Sequence, residues 1–556
     1  MFIFALLIGI YSYIIFALGL VGWLYKSVVI WLTLGFWFVA YHRSSFNYLR
    51  SLRIKLHSVT ALREKSLLSF FVILLALQAL VNLIGALGPE LSFDALWYHL
   101  TLPKLYLISH SISFFDGGLL YYSAMPKLAE LLYVAGLSFG TENIAKLIHY
   151  SFGLLTCLAI YKLSRKFFSS LISLIAVVIF YSNLVVGWES TAAYIDLVRA
   201  FFEVMALWGF VNWLDGKKKK WLVISALMVG LAITTKLLAV GSLVIFTLLL
   251  VAGSKWRVGK TTRYALRAIC NVIIYWLIAL AVPLPWFVFS YFHTGNPVYP
   301  FFTDIYKVIP EPLSVLGFFR DVWLLLTQAS DPISLVYIIM LPIIILFFIR
   351  HSGLSRISKI KTLRFREILD AARMTTGIGV IGLYSMLALV VWYFTPRTGG
   401  GRFILPYLPA FSILCAALID QVWRDVYLRR FLITVVIFAS LFSIIYRFGA
   451  NSKYLPVILA QETKGEFLAK HLNFAFGDFY DTDNYFAEHI KQDEKVLLYG
   501  FHNLYYVDFP FVDSSWVREG DAFQYIAVQQ GDLPKEFKNW KLVYENRKTM
   551  VKLYRR

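Results

Sequence analysis

A long apolar run, followed directly by a group of ionisable residues, indicates that this chain crosses a membrane. Residues 66–87 read SLLSFFVILLALQALVNLIGAL, and residues 88–104 continue with GPELSFDALWYHLTLPK. A predominantly apolar stretch of about 20 residues is long enough for a helix to cross a bilayer. Ionisable residues where a span meets water are costly to keep unless they are used, so Asp94 is the first candidate functional residue.

The composition of the chain is that of a membrane protein. Of the 556 residues, 59% are hydrophobic and 15% are charged, whereas soluble domains carry roughly 25% charged residues. Repeated apolar runs predict a polytopic α-helical membrane protein with about 13 transmembrane helices over residues 1–448. Cys157, Cys270 and Cys415 lie in apolar segments without paired spacing, so we expect neither a disulfide framework nor a metal site.

The positive charge of the chain follows the predicted membrane topology. The formal net charge is +20, and Lys and Arg concentrate in short loops such as residues 42–65, 255–267 and 350–373. The positive-inside rule places these loops in the cytoplasm. Alternation of the spans then puts loops 88–143 and 292–332 on the outer face of the plasma membrane. No basic domain stands apart from the spans, which argues against nucleic-acid binding.

The C-terminal part of the chain, residues 449–556, has a different composition. Polar and apolar residues alternate there, with strand-like runs that begin near residues 495, 524 and 541. Residues 541–554 read as a β-hairpin, and residues 459–472 and 484–491 as amphipathic helices. We therefore predict a small, soluble, extracytoplasmic α/β domain after the membrane part.

Polar residues from distant parts of the sequence share the predicted outer face. Such groups usually pair and face a cavity rather than lipid, and a cavity of mixed charge suits an anionic, amphiphilic substrate. The candidates are Glu90, Asp94, Tyr98, His99, Lys104, Glu189, Asp196, Arg199, Lys236, Asn296, Tyr299, Arg397 and Arg402.

Asp94 is the candidate general base, because a carboxylate can accept the proton of an acceptor hydroxyl during group transfer. The alternative is an N-cap for the helical run 95–102, and the two roles are compatible. Asp196 and Arg199 are three residues apart and therefore share a helix face. One possibility is that Asp196 and Arg199 belong to a cavity wall that binds polar groups of the substrate. The alternative is a structural ion pair between them, in which Glu203 would be a second acidic neighbour of Arg199.

Three basic residues are candidate anion binders. Arg grips phosphate oxygens with two parallel hydrogen bonds, and Lys acts as a point charge. Lys236 lies at the tip of a predicted hairpin, and Arg397 and Arg402 flank three glycines that let the backbone approach a ligand. For Arg397 the alternative is an arginine that extends to lipid head groups.

Five segments on the predicted outer face carry a resemblance to a known superfamily. They are, in chain order, FDALWYHLTLPK (93–104), AYIDL (193–197), TTK (234–236), TGNPVYPFF (294–302) and GRFILPYLPA (401–410). Across residues 66–422 the chain resembles the GT-C glycosyltransferases. The resemblance is to the branch with the protein O-mannosyltransferases, the aminoarabinose transferases of lipid A and the RgtA/B/C/D-like bacterial enzymes.

The resemblance implies a polyprenyl-phosphate-linked sugar donor, no metal and no further cofactor, and an acidic residue that maps onto Asp94. Many relatives place two adjacent acids there, whereas Ala95 follows Asp94 in this sequence, and Glu90 is the alternative partner. We therefore expect inverting transfer of a hexosyl or pentosyl group to an acceptor hydroxyl. Asp94 acts as the base, Tyr98 and His99 line the sugar pocket, and Arg402 with Lys236 or Arg397 stabilises the lipid phosphate.

Two other functions compete with this hypothesis. A transporter or flippase for a lipid-linked glycan precursor predicts a continuous polar path to the cytoplasmic side, although transporters usually show internal repeats that are not evident here. A structural or assembly factor predicts that the acids and bases of the outer face point apart. The acceptor, whether lipid, glycan or protein, is not given by the sequence.

Overall fold

The computed structural model describes residues 1–48, 62–255, 262–305, 313–327, 333–334, 336–351, 375–395 and 397–556. Most of the described chain is helical. The first half contains α1 (Phe2–Leu20), α2 (Lys26–Tyr48), α3 (Leu62–Leu87), α4 (Thr101–Ser109), α5 (Leu128–Phe139), α6 (Glu142–Ser164), α7 (Ser170–Tyr181), α8 (Leu184–Glu189), α9 (Asp196–Gly216), α10 (Lys219–Thr235) and α11 (Val240–Lys255).

The helices continue up to the C-terminal sheet. They are α12 (Thr262–Ala281), α13 (Leu284–Thr294), α14 (Val315–Thr327), α15 (Val336–His351), α16 (Thr375–Tyr393), α17 (Leu408–Gln421), α18 (Val426–Asn451), α19 (Leu455–Ile458), α20 (Lys464–His471) and α21 (Tyr485–His489). Nearly every residue of α9 is buried, and α9 packs against α6 and α10. This central helix therefore forms the middle of the membrane part.

Several helices have the length and apolar composition of membrane spans. Among the described residues there are five, Phe2–Leu20, Ser66–Leu87, Glu142–Ser164, Asp196–Gly216 and Val426–Ile458. A sixth would be the pair Leu266–Ala281 and Leu284–Thr294, which is bent by 61°. Shorter apolar helices include Ser170–Tyr181, Gly377–Tyr393 and Leu405–Gln421. The predicted polytopic helical membrane fold is confirmed, and the count of about 13 spans stays a prediction.

Two predicted spans have different bounds in the structure. The span predicted over residues 169–187 is broken after Tyr181, because the Asn183 side chain donates to the carbonyl oxygens of Ile179 and Phe180 and so caps the end of α7. The next span was predicted from residue 191, but α9 begins at Asp196. Asp196 is therefore the first residue of its helix.

The segment predicted as outer loop 88–143 is largely helical. A single π-helical turn, Ala95–His99, follows Asp94 and leads into α4. Almost all residues of α5 are buried, and α5 packs against α1, α2, α4 and α6. An apolar helix inside a loop explains why hydropathy alone did not separate α5 from its surroundings.

The C-terminal part contains a five-stranded sheet in the order β2-β1-β3-β5-β4. Its strands are β1 (Val496–Tyr499), β2 (Phe511–Asp513), β3 (Tyr525–Gln529), β4 (Lys541–Asn546) and β5 (Val551–Arg555). The first three pair in parallel, while β5 runs antiparallel to β3 and β4. The predicted hairpin is present as β4 and β5, and β2 was not predicted because it has only three residues.

Residues 501–508, which we call the docking segment, fix this sheet onto the segment that contains Asp94. The Tyr505 N–H donates to the Leu96 carbonyl oxygen at 3.3 Å. The Lys104 ammonium group donates to the carbonyl oxygens of Tyr505 and Val507, both at 2.7 Å. The His502 ring stacks on Phe93 at 4.7 Å between centroids. The C-terminal part therefore lies on the same side of the membrane part as Asp94.

Candidate active site

An ion pair between Asp94 and Arg402 lies at the centre of the site. The Arg402 Nη2 atom is 2.7 Å from Asp94 Oδ2, and the Tyr98 hydroxyl donates to the same oxygen at 3.3 Å. The Asp94 side chain makes no capping bond to the helix that follows it. The N-cap alternative thus has no support in the geometry, and the Asp94 carboxylate is held by tertiary contacts.

Asp196 joins Arg402 to a second cation. Its Oδ2 atom lies 3.3 Å from Arg402 Nε, and its Oδ1 atom accepts a hydrogen bond from Lys236 Nζ at 2.6 Å. The Asp196 side chain is fully buried. Glu189 Oε1 lies 3.9 Å from Arg402 Nε. Two carboxylates and two cations thus alternate along a chain from Asp94 to Lys236, in which Arg402 is the shared partner.

Local backbone structure brings these side chains together. Gly400 has φ 56° and ψ −137°, a conformation open essentially only to glycine, in the tight turn just before Arg402. At the start of α9, the Leu197 N–H donates to His149 Nε2 at 3.1 Å, and His149 Nδ1 lies 2.8 Å from the Ala192 carbonyl oxygen. A buried imidazole therefore holds the turn that positions Asp196.

A cavity of about 290 Å³ opens beside the ion-pair chain. Asp94, Tyr98, His99, Lys236 and Arg402 contribute to its wall, as the sequence predicted for a common cavity. Apolar side chains cover another part of the wall, namely those of Ile195, Leu237, Leu238, Phe301 and Phe403. Such a mixed lining fits a molecule with a polar group and an apolar chain.

Two lining residues, Lys127 and Glu130, were missed in the sequence analysis. Both are only 2% exposed, and Lys127 Nζ lies 3.8 Å from Glu130 Oε1. The same Glu130 oxygen lies 2.9 Å from His99 Nδ1. The available signal was a pair of opposite charges three residues apart at the start of an apolar helix, where ionisable residues are rare.

Several predicted site residues lie away from the cavity. The Glu90 carboxylate accepts the backbone N–H groups of Leu91, Ser92 and Ala193, so it holds the backbone around Asp94 and does not reach the cavity. Lys104 is engaged by the docking segment, including Asp508 Oδ1 at 2.8 Å. Glu90 and Lys104 therefore hold the backbone of the segments next to the site. A substrate-binding role for them stays a prediction.

Three other predicted binding residues contact protein groups near the cavity and are not part of its lining. Arg199 lies 3.4 Å from Glu203 and donates to the Tyr407 hydroxyl at 2.7 Å. The structural ion pair of Arg199 is therefore with Glu203 and not with Asp196, which pairs with Lys236 and Arg402. Asn296 bonds within its own loop, to the Phe301 carbonyl oxygen and the Val298 N–H. Tyr299 packs against Phe114. The side chain of Arg397 lies outside the described residues.

The electrostatics of Asp94 favour its ionised form. Burial raises the pKa of this carboxyl group, but the Arg402 guanidinium and, more weakly, the Lys236 ammonium group lower it by more than burial raises it, so the pKa lies below its ordinary value. Within the described ranges, no three His, Cys, Asp or Glu side chains are grouped as a metal site. The expectation of metal independence stays a prediction.

Comparisons with known proteins agree with this architecture. A family model described as dolichyl-phosphate-mannose-protein mannosyltransferase matches residues 134–287. The crystal structure of ArnT from Cupriavidus metallidurans bound to undecaprenyl phosphate superposes with a TM-score of 0.52 at 14% identity, covering 87% of this chain and 98% of ArnT. The chain has the GT-C fold. The predicted GT-C fold is thereby confirmed.

Two further solved structures match the chain less closely. The Saccharomyces cerevisiae Pmt1-Pmt2 protein O-mannosyltransferase with its sugar donor matches at 19% identity and a TM-score of 0.32, covering 43% of this chain and 34% of that chain. The Archaeoglobus fulgidus oligosaccharyltransferase matches at 14% identity and a TM-score of 0.44, covering 82% and 69%. A comparison with curated proteins gave no significant match.

Proposed function

We propose that this protein is a glycosyltransferase that moves a sugar from a polyprenyl phosphate to an acceptor hydroxyl, with inversion at the anomeric carbon. One observation carries the proposal: Asp94, Arg402 and Lys236 line one cavity beside apolar side chains. A structural or assembly factor predicts instead that the charged groups of the outer face point apart. The family match and the GT-C fold support the same conclusion.

The donor phosphate is assigned to the cationic part of the cavity wall. Lys236 donates to Asp196 through one of the three hydrogens of its ammonium group, which leaves donors for a phosphate oxygen. Arg402 and Lys127 are further cations in the wall. The polyprenyl chain would lie along Leu237, Leu238 and Phe403, which cover the apolar part of the lining.

Asp94 is assigned as the base. Arg402 and Tyr98 both bond to Oδ2, so we assign the acceptor's proton to Oδ1. The acceptor oxygen forms a bond to the anomeric carbon as its proton passes to Asp94. The bond from that carbon to the phosphate oxygen breaks, and the electron pair leaves with the lipid phosphate, whose negative charge Arg402 and Lys236 stabilise.

The orientation and the partners are part of the proposal. The basic loops support an extracytoplasmic cavity in a plasma membrane, where the C-terminal part shares its side of the membrane. The acceptor is a lipid, a glycan or a protein with an accessible hydroxyl. Transfer of the sugar, rather than translocation of the whole donor, is the activity to be measured.

The test is turnover by Asp94→Asn protein in nanodiscs, supplied with decaprenyl-phosphate sugars and a mixture of hydroxyl acceptors. Loss of a general base reduces the rate by about 100- to 10,000-fold. Asp116→Asn is a matched control, because Asp116 is an exposed carboxylate of the same outer segment. Full turnover by a folded Asp94→Asn protein would exclude Asp94 as the base.

A further inference from the structure

Two buried polar atoms without a hydrogen-bond partner belong to residues that line the cavity. They are Nε2 of His99 and Oε2 of Glu130, which find no partner among the described residues. Both residues line the cavity and are at most 2% exposed. A buried polar atom without a partner is destabilising, so two such atoms in residues that line a cavity are candidates for bonds to a ligand.

The bond between the two side chains determines what each free atom can do. A carboxylate oxygen only accepts, so the 2.9 Å contact between His99 Nδ1 and Glu130 Oε1 places a hydrogen on Nδ1. Burial lowers the pKa of His99 and outweighs the opposing effect of Glu130, which keeps the imidazole neutral. Nε2 is then a lone-pair acceptor, and Glu130 Oε2 is a second one.

Two neighbouring acceptors require a ligand with two donors. Lys127 lies 3.8 Å from Glu130 and balances its charge, so the pair does not call for a cationic ligand. Neutral hydroxyl groups supply hydrogens without adding charge. From this geometry we propose that His99 and Glu130 form a subsite that binds two hydroxyl groups of the transferred sugar.

The backbone places this subsite next to the reacting groups. Asp94 directly precedes the π-helical turn Ala95–His99, in which the Leu100 N–H donates to the Ala95 carbonyl oxygen at 2.9 Å. Asp94 and His99 are therefore about one π-helical turn apart, and both line the cavity. A sugar bound by His99 and Glu130 lies beside the base, which is why we assign the hydroxyls to the transferred ring. This assignment rests on the proposed glycosyltransferase function.

The subsite makes a quantitative prediction for the donor. A site built around hydroxyl groups rejects an analogue without them far more strongly than an apolar pocket rejects a missing methylene group. Each lost hydrogen bond to a buried acceptor should reduce kcat/KM by about 10- to 100-fold. Two positions of the sugar should show this penalty, and the other positions a smaller one.

The experiment compares donors in nanodisc-embedded protein. Decaprenyl phosphates that carry mannose, glucose, galactose or arabinose are screened for transfer, and the best donor is compared with its monodeoxy analogues. In Glu130→Gln protein, where an amide group replaces the carboxylate, the penalty at one position should shrink at least fivefold relative to the wild-type penalty. His99→Phe should have the same effect at a second position. Equal penalties in all three proteins, or analogues within threefold of the parent donor, would overturn the subsite.

Two controls keep the subsite and the proposed function apart. Glu203→Gln changes a buried acid bonded to Ser242 and Tyr384 away from the cavity, so it should keep the full deoxy penalty whatever its rate. Binding of methyl glycosides of the four sugars, followed by saturation-transfer NMR, needs no turnover. A signal that Glu130→Gln removes supports the subsite, and a signal equal in both proteins overturns it. Absence of transfer from every donor, with that NMR signal present, counts against the proposed function alone.

Discussion

Arg402 Nη2 lies 2.7 Å from Asp94 Oδ2, although 308 positions separate the two residues in the chain. The contact joins the segment after α3 to the turn before α17, and Asp196 at the start of α9 completes it. Arg402 is itself part-buried, with 14% of its side chain exposed. Charges interact more strongly where water is excluded, so the ionised state of each of these side chains is stabilised by the opposite charges beside it.

The first prediction concerns the pH dependence of Asp94. Arg402 keeps the pKa of this carboxyl below its ordinary value against the effect of burial, so the proposed base stays ionised through the neutral range and is protonated only in acid. In Arg402→Gln protein burial should dominate and raise the pKa. The acid limb of a kcat/KM profile should then move to higher pH.

The control for this prediction is Arg429→Gln, since Arg429 donates to the Trp423 carbonyl oxygen at the other end of α17. That variant should keep the wild-type acid limb. If the limb stays in place in Arg402→Gln protein as well, the guanidinium does not set the ionisation of the base.

The second prediction concerns the Lys236–Asp196 pair. Asp196 is fully buried, and its Oδ1 atom accepts from Lys236 at 2.6 Å. Removal of one partner from a buried pair leaves an uncompensated charge, so Lys236→Met should lower the free energy of unfolding by about 3 kcal/mol. Thermal unfolding of the purified protein measures this loss.

The double variant separates charge from packing in this pair. Lys236→Met with Asp196→Asn removes both charges and should regain a large part of the lost stability. A double variant as unstable as the sum of the single variants would show that the two residues do not interact energetically.

The third prediction concerns the docking segment. Lys104 donates to three oxygens of residues 505–508, and two of these are backbone carbonyls. Lys104→Met should leave the carbonyl oxygens unsatisfied, increase hydrogen exchange over residues 501–508 and reduce kcat through a less ordered Asp94 segment. Asp508→Asn is the matched control, because the Asp508 side chain is 77% exposed and its ion pair contributes little. Unchanged exchange in Lys104→Met protein would contradict the prediction.

The fourth prediction concerns Asp513 in β2. Burial raises the pKa of this carboxyl group to about 6 and outweighs the hydrogen bond that the Ser515 N–H donates to it. A carboxyl group whose pKa is higher in the folded state than in the unfolded state makes its full contribution to stability below the unfolded-state pKa, where it is protonated in both states. That stability is lost as the pH rises through about 6. Asp513→Asn should therefore stabilise the protein at pH 7.5 by about 2 kcal/mol.

The same variant should have a much smaller effect at pH 4, where the folded wild-type carboxyl group is already protonated. Melting temperatures of the two proteins at both pH values provide the measurement. A stabilisation that is equal at pH 4 and pH 7.5 would assign the effect to packing instead of to ionisation.

The sequence alone was sufficient for the class of fold, a polytopic helical membrane protein, and for the group of residues at the centre of the site. Asp94, Asp196, Lys236 and Arg402 could be grouped because hydropathy reports the depth of a residue in the bilayer. Four charges at one depth in a helical bundle have few partners other than one another. Their individual roles in the reaction stay predictions.

Other features depend on contacts that hydropathy does not report. Glu90 and Lys104 share the depth of the site, but their polar atoms bind backbone groups on the far side of the Asp94 segment. Depth does not specify the direction in which a side chain points. Lys127 and Glu130 are hidden for a related reason, because they lie at the start of α5, an apolar helix within the segment that the sequence predicts as a loop.

The contact between Lys104 and Tyr505 joins residues 401 positions apart, and this separation affects how the protein is made. During synthesis the segment with Asp94 emerges long before residues 501–508, and every intervening membrane helix must be inserted before the two can meet. A nascent chain therefore contains Asp94 before it contains the docking segment that holds the Asp94 segment in place. Under the proposed function, we expect each molecule to become active only after its membrane helices are inserted and the docking segment has reached the side of the membrane on which Asp94 lies.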